Sequence, residues 1–105
     1  MRRDKHLPLT ETTFYILVAL QSPAHGYQTI QTVEELSGGE VRIAAGTMYG
    51  AIENLQKQGM IQAIPSNDPR RKTYQITPYG QNVLQMDIAR LHQMLAAANC
   101  AGGQQ

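Results

Sequence analysis

From Gly46 to Ile76 a helix-period stretch runs straight into two strand-period runs joined by a cationic turn, and few folds accommodate that order. Across Gly46–Gly59, Met48, Ile52 and Leu55 recur at spacings of four and three, which puts them on one face of a helix. Gly59 stops that helix, since glycine reaches the left-handed backbone of a helix end at no steric cost. Thr47, Gly50, Asn54 and Lys57 fall on the other face, again three and four apart, so short polar groups line an edge able to enter a groove. Ile61–Pro65 and Lys72–Ile76 have strand length, and Ser66-Asn67-Asp68-Pro69 between them has the residue types of a turn. The hairpin they predict carries Arg70, Arg71 and Lys72 at its tip and return edge, where water or a phosphate backbone would be their neighbours. A helix that feeds a basic hairpin predicts a winged helix-turn-helix, an α+β and mainly helical fold.

The rest of the chain supplies its supports. Thr10 can cap a first helix, with Glu11 close to the positive end, and Leu9, Thr13, Ile16, Leu17 and Leu20 follow its period. Pro23 and Gly26 punctuate the connection to a second helix, whose buried line is read as Tyr27, Ile30 and Val33 and whose end is Ser37-Gly38-Gly39. Val41-Arg42-Ile43 is β-branched at both ends and is expected to add a small strand to the hairpin. Thr77-Pro78 starts a last helix, threonine as cap and proline in the first turn, where its missing N–H costs nothing.

Along that helix Leu84, Ile88, Leu91, Leu95 and Ala98 step by four, three, four and three, a heptad seam. Such a seam either packs on its own core or pairs with a copy of itself. Pairing is the expected use, because a winged domain already occupies its other helical faces. Met86 and Met94 beside the seam offer an adaptable apolar pocket between protomers, or simply more of the dimer core. The expected organisation is a winged domain with an amino-terminal arm over residues 1–76, a dimerisation helix over 77–98 and a disordered tail over 99–105.

Composition narrows the function classes. With 105 residues, 42% of them hydrophobic, the chain suits one domain with a modest core. The longest apolar run, Phe14 to Leu20, falls far short of the roughly 20 residues of a membrane span, and the charged start is not followed by a signal-peptide core. A cytoplasmic protein with no membrane partner is expected. The single cysteine, Cys100, has no internal disulfide partner. A net charge of +1 says little about nucleic acid, but its distribution does: six of the nine Lys and Arg fall in Arg2-Arg3-Lys5 and Arg70-Arg71-Lys72, while Glu34, Glu35 and Glu40 gather elsewhere. The amino-terminal cluster reads as an accessory arm or a solvated terminus. His25, in a glycine-containing turn before a helix, reads as a cap. His6 and His92 are remote in sequence, no spacing assembles metal ligands, and no nucleophile motif is present. Neither enzyme chemistry, a metal nor a cofactor is expected.

His25-Gly26-Tyr27, Gly46-Thr47-Met48-Tyr49, Leu55 with Gly59-Met60-Ile61, the run Arg70-Arg71-Lys72 with Tyr74, Ile76 and Thr77, and Gly80 together resemble the ordered signature of the PadR family of transcriptional regulators. The resemblance spans most of the chain. It implies a homodimeric repressor of double-stranded DNA sites, in some members released by small aromatic or lipophilic effectors. The site residues then expected are Thr47, Tyr49, Gly50, Asn54 and Lys57 on the recognition helix and Arg70, Arg71 and Lys72 on the wing. Tyr49 is read as a phosphate or base contact, Asn54 as a partner for adenine or a solvated side chain, and Lys57 as a phosphate contact. Many members carry proline at the position of Gly50 and a cation at that of Asn54, so these two departures bear on DNA affinity. The alternative from another class is a winged-helix module that binds a protein partner, which near-neutral charge and Glu53 on the recognition helix favour and the basic wing opposes.

Overall fold

The computed structural model describes residues 3–68 and 70–102. Arg2 of the basic cluster, Pro69 of the expected turn and residues 103–105 of the expected tail lie outside them. Seven elements follow in order: α1 (Glu11–Ala19), β1 (Ala24–His25), α2 (Gly26–Leu36), α3 (Ala45–Lys57), β2 (Ile61–Ile64), β3 (Thr73–Ile76) and α4 (Pro78–Gly102).

The helix ends are set locally. The Thr10 hydroxyl accepts the Thr13 N–H at 3.1 Å, capping α1. α2 and α3 close in the same way. Gly39 N–H reaches the Glu34 carbonyl and Gly38 N–H that of Glu35; Met60 N–H reaches Leu55 and Gly59 N–H reaches Gln56. This paired reach-back needs left-handed backbone, which Gly38 (φ 65°) and Gly59 (φ 77°) provide. Ser37 then accepts the Val41 N–H at 2.9 Å and fixes the loop into α3.

α1, α2 and α3 enclose the core with the root of the hairpin. Ile16, Leu17, Leu20, Val33, Met48, Ile52, Leu55, Met60 and Ile61 are buried in one cluster with Val83 and Leu84 of α4. Burying each such aliphatic side chain contributes about 1.5–3 kcal/mol before the entropy of ordering is subtracted. The expected line Met48, Ile52, Leu55 is the buried face of α3. On α2 the expectation needs correcting: Gly26, Thr29 and Val33 are buried, Ile30 is half-buried, and Tyr27 points outward with 63% of its surface exposed.

The hairpin pairs Ile61 with Ile76 through to Ile64 with Thr73, antiparallel. The third strand is β1, pairing Ala24 with Tyr74 and His25 with Thr73, so the sheet order is β1-β3-β2. Val41-Arg42-Ile43, expected to take this place, is not a strand. Val41 and Ile43 are buried in the core cluster as side chains of an irregular loop. Burial satisfies β-branched residues there without a ladder.

α4 runs 25 residues, about 37 Å at 1.5 Å per residue, and continues past Asn99 to Gly102. The alanines at 96, 97, 98 and 101 are the strongest helix formers available there. The radius of gyration, 15.4 Å, exceeds the roughly 13 Å of a compact domain of this length, because the outer half of α4 projects from the winged domain. Its inner half belongs to that domain. Leu84, expected on a dimer seam, is fully buried in the subunit's own core, with Ile88 packed against it, whereas Leu91, Leu95 and Ala98 are exposed. Among the described residues no helix is long and apolar enough to cross a membrane.

Candidate nucleic-acid interface

α3 presents Thr47, Gly50, Asn54 and Lys57 as exposed residues, on the side away from Met48, Ile52 and Leu55. They do not form a uniform reading edge. Lys57 pairs with Glu53 one turn back at 3.3 Å, both side chains about 70% exposed, an arrangement worth only a few tenths of a kcal/mol. Asn54 borders a shallow groove of about 250 Å³ shared with His6, Pro8, Thr10 and Gln58, so it sits on the flank of α3 toward the amino-terminal arm. Gly50 has open space around it. A methyl would fit there, so packing within the subunit is not what calls for a glycine.

The other flank of α3 faces the wing across a cleft of about 450 Å³ lined by His25, Gly26, Tyr27, Tyr49, Arg70, Arg71, Lys72 and Tyr74. Each wall has a local cause. His25 is the amino-terminal cap of α2: its ring Nδ1 accepts the Gln28 N–H at 3.3 Å while Gln28 Oε1 accepts the His25 N–H at 3.1 Å. Thr29 ties down the same turn, its hydroxyl donating to the His25 carbonyl at 2.9 Å. Gly26 lets Tyr49 close against α2, since a Cβ there would meet the Tyr49 ring at 3.1 Å. The Tyr49 ring is thereby held at the margin while over half of its surface stays exposed. Burial pushes the Tyr74 phenol above its ordinary 10.0, with nearby Tyr49 adding to the effect, so its hydroxyl stays protonated.

The wing cations are not equivalent. Arg70 leans back on Asp68, its Nε 3.5 Å from Oδ1, on a turn where Asp68 also accepts the Arg70 N–H at 2.9 Å and its carbonyl accepts the Arg71 N–H. Arg71 turns inward, its Nη1 3.4 Å from His25 Nε2. Lys72 is exposed on the return edge. Three cations, three tyrosines and a histidine thus share one concave surface beside the exposed face of α3. That arrangement suits a phosphate backbone running along the rim of a groove that α3 enters.

Of the residues expected at this interface, Tyr49, Arg70, Arg71 and Lys72 line the cleft, while Thr47, Gly50, Asn54 and Lys57 are exposed on α3 without lining it. Tyr27 and His25 join it. The signal for Tyr27 was available in the spacing of Gly26, Thr29 and Val33, an alternative buried line that rotates Tyr27 outward.

A second polar group lies away from the cleft. Asp4 accepts the His6 N–H at 2.8 Å and the Tyr79 hydroxyl at 2.8 Å, and the His6 ring lies 3.1 Å from Asp4 and 3.0 Å from Tyr79. These contacts, the His6 backbone bond first and the Tyr79 hydroxyl next, hold the Asp4 carboxyl below its ordinary 3.8. They latch the arm to the start of α4. Arg3 lines a groove of about 450 Å³ with Leu7, Met86, Ala89, Arg90, Gln93 and Met94, which brings together the two methionines read as an apolar pocket. Arg90 there is held by buried Asp87 at 2.7 Å. No group of His, Cys, Asp and Glu that could hold a metal ion occurs among the described residues.

Comparison with known proteins bears on the fold. A search of curated proteins gave no match. Among solved structures, a PadR family transcriptional regulator from Eggerthella lenta is 26% identical over 86% of this chain and 80% of its own, with a TM-score of 0.69. A probable transcriptional regulator from Pseudomonas aeruginosa is 26% identical over 90% of this chain and 68% of its own, at a TM-score of 0.67. A PadR family transcription regulator from Clostridium difficile superposes at a TM-score of 0.72 over 86% of this chain and 96% of its own; at 21% identity it speaks for the fold alone. The sequence pattern described as the transcriptional regulator PadR-like family matches residues 16–86, more than half of the chain. With its winged helix and carboxy-terminal helix, the chain belongs to the PadR-like family of transcriptional regulators.

Proposed function

We propose that the protein is a homodimeric, DNA-binding repressor. The observation that carries this reading is the cationic cleft, where Arg70, Arg71 and Lys72 converge with Tyr27 and Tyr49 beside the exposed edge of α3. Two copies joined through the exposed outer half of α4, at Leu91, Leu95 and Ala98, would present two recognition helices to one face of a duplex. The operator is then pseudo-palindromic, with half-sites about 34 Å apart or a multiple of that. Repression follows from occlusion of the promoter. The groove lined by Met86 and Met94 suits a small aromatic or lipophilic effector, with Arg3 on its lining to meet a polar end. Such an effector releases DNA only if it binds one spacing of the two helices better than the other.

The test is fluorescence anisotropy of the protein with the DNA upstream of its own gene and with a shuffled duplex, across a salt series. Binding should be saturable, stronger for the upstream duplex, and weakened by salt. Arg71→Ala should weaken binding to every sequence alike and lower the salt slope by about one; an unchanged slope refutes the phosphate role of Arg71. A second reading, a winged module for a protein partner, is favoured by the pairing of Lys57 with Glu53, which leaves the centre of α3 nearly neutral. Equal, weak binding to both duplexes would support that reading instead.

A further inference from the structure

We infer that His25, in its neutral form, is a phosphate-binding donor of this interface and shares one phosphate oxygen with Arg71. The inference rests on the DNA-binding reading above and deepens it.

The Gln28 backbone N–H can only donate, and it points at His25 Nδ1 from 3.3 Å. Nδ1 therefore presents a lone pair, and in a neutral imidazole the proton then sits on Nε2. Nε2 lies 3.4 Å from Arg71 Nη1, and a guanidinium nitrogen is also a donor only. The two groups do not bond each other; they are two N–H donors converging at the mouth of the cleft. The atom that satisfies both is an acceptor oxygen placed between them.

Moving the proton to Nδ1, so that Nε2 could accept from Arg71, would set an N–H against the Gln28 N–H and open the cap of α2. The capping box, closed on its other side by the His25 N–H at 3.1 Å from Gln28 Oε1, thus fixes which ring nitrogen faces the cleft. The acceptor is anionic, because Arg70, Arg71 and Lys72 border the space and none of the described residues lining it is acidic. On a duplex that chemistry is a phosphodiester oxygen. The contact adds a hydrogen bond but no charge, which separates it from the contact of Arg71.

The experiment compares wild type, His25→Asn and Arg71→Gln in the anisotropy salt series, each with its thermal melting curve. Asparagine caps a helix as well as any residue but does not reach the cleft. His25→Asn should keep its Tm and bind every duplex about fivefold more weakly, the loss of one net hydrogen bond, with the salt slope unchanged. Arg71→Gln should lower the slope by about one. Nitrogen-15 NMR of the wild-type ring, independent of any variant, should show Nε2 protonated and Nδ1 bare in the free protein, with the Nε2 proton shifting downfield on saturation with duplex. A His25→Asn protein of unchanged Tm that binds as wild type does, or a ring protonated on Nδ1, overturns the inference alone. A wild-type protein with no salt-dependent DNA binding overturns the function it rests on.

Discussion

Replacing Gly80 by alanine should destabilise the protein, against the ordinary preference of a helix. Gly80 lies in the first turn of α4, where the wing, the end of α3 and the last helix meet. The Thr77 N–H donates to the Met60 carbonyl at 2.9 Å, the Thr77 hydroxyl donates to the Gly59 carbonyl at 2.6 Å, and the same hydroxyl oxygen accepts the Gly80 N–H at 3.0 Å. A Cβ on Gly80 would overlap the Met60 carbonyl oxygen and lie 2.9 Å from its carbon and from Ile76 Cγ1. The oxygen is backbone, pinned by Thr77, and cannot swing aside as the end of a side chain would. Helix propensity favours alanine over glycine by up to about 1 kcal/mol. Against it stand a forced backbone shift, about 1–3 kcal/mol, and a strained Thr77–Met60 hydrogen bond, about 1 kcal/mol. The net is a loss of about 1–3 kcal/mol, a fall in Tm of roughly 5–15 °C for a domain of this size. Gly50→Ala is the control, a helical glycine with nothing within 4 Å of its missing Cβ. There propensity acts alone, and stability should rise by up to about 1 kcal/mol. Thermal melts and urea midpoints at unchanged m-value measure both. A Gly80→Ala protein as stable as wild type, with Gly50→Ala raised, would refute the reasoning that the Met60 carbonyl excludes a side chain.

The two halves of α4 should answer differently to mutation. Leu84→Ala should cost about 2–5 kcal/mol by denaturant titration, because the side chain is fully buried in its own subunit, whereas Leu95→Glu, at a residue 59% exposed, should leave subunit stability near wild type and shift the sedimentation coefficient toward monomer. The arm latch carries a pH signature. Asp4 is held below its ordinary 3.8 when folded, so its contribution is complete above that value and is lost as pH falls through the lowered one. The Tm difference between wild type and Asp4→Asn should therefore be constant near neutrality and shrink below pH 3.8.

What the sequence revealed was whatever is decided within a few residues. The period of Met48, Ile52 and Leu55, the glycines after α2 and α3, the Thr77-Pro78 start and the hairpin all depend on local geometry, and all stand in the structure. What it hid is decided by the path of the chain. Ala24-His25 has no strand character of its own and pairs only because β3 runs beside it, while Val41-Arg42-Ile43 has the composition of a strand but finds its burial elsewhere. Tyr27 lay on one of two helical lines offset by a single residue, and the resolution lies in Gly26, whose missing Cβ admits Tyr49. The latch between Asp4, His6 and Tyr79 joins positions more than 70 residues apart. No spacing rule reaches that far.

The heptad of α4 shows why one pattern can mislead about function yet remain informative. Leu84 and Ile88 continue the seam of Leu91, Leu95 and Ala98 without a break, because packing on a core and packing on a partner ask for the same apolar repeat. The division falls where the winged domain ends. Below it, Val83, Leu84 and the Thr77–Gly80 junction tie the helix to the end of α3 and the root of the wing; above it, Leu91, Leu95 and Ala98 are exposed. The recognition helix is therefore joined to α4 through packed and hydrogen-bonded contacts at the inner end of that helix. In the proposed dimer, a change in how two outer halves cross would pass through those contacts into the spacing of two recognition helices. Met86 and Met94 stand on either side of that division, Met86 partly buried and Met94 exposed. A ligand seated against both would act at the crossing if a second α4 completes its site, and would leave DNA affinity unchanged if one subunit holds it alone, since it would then bind both spacings equally.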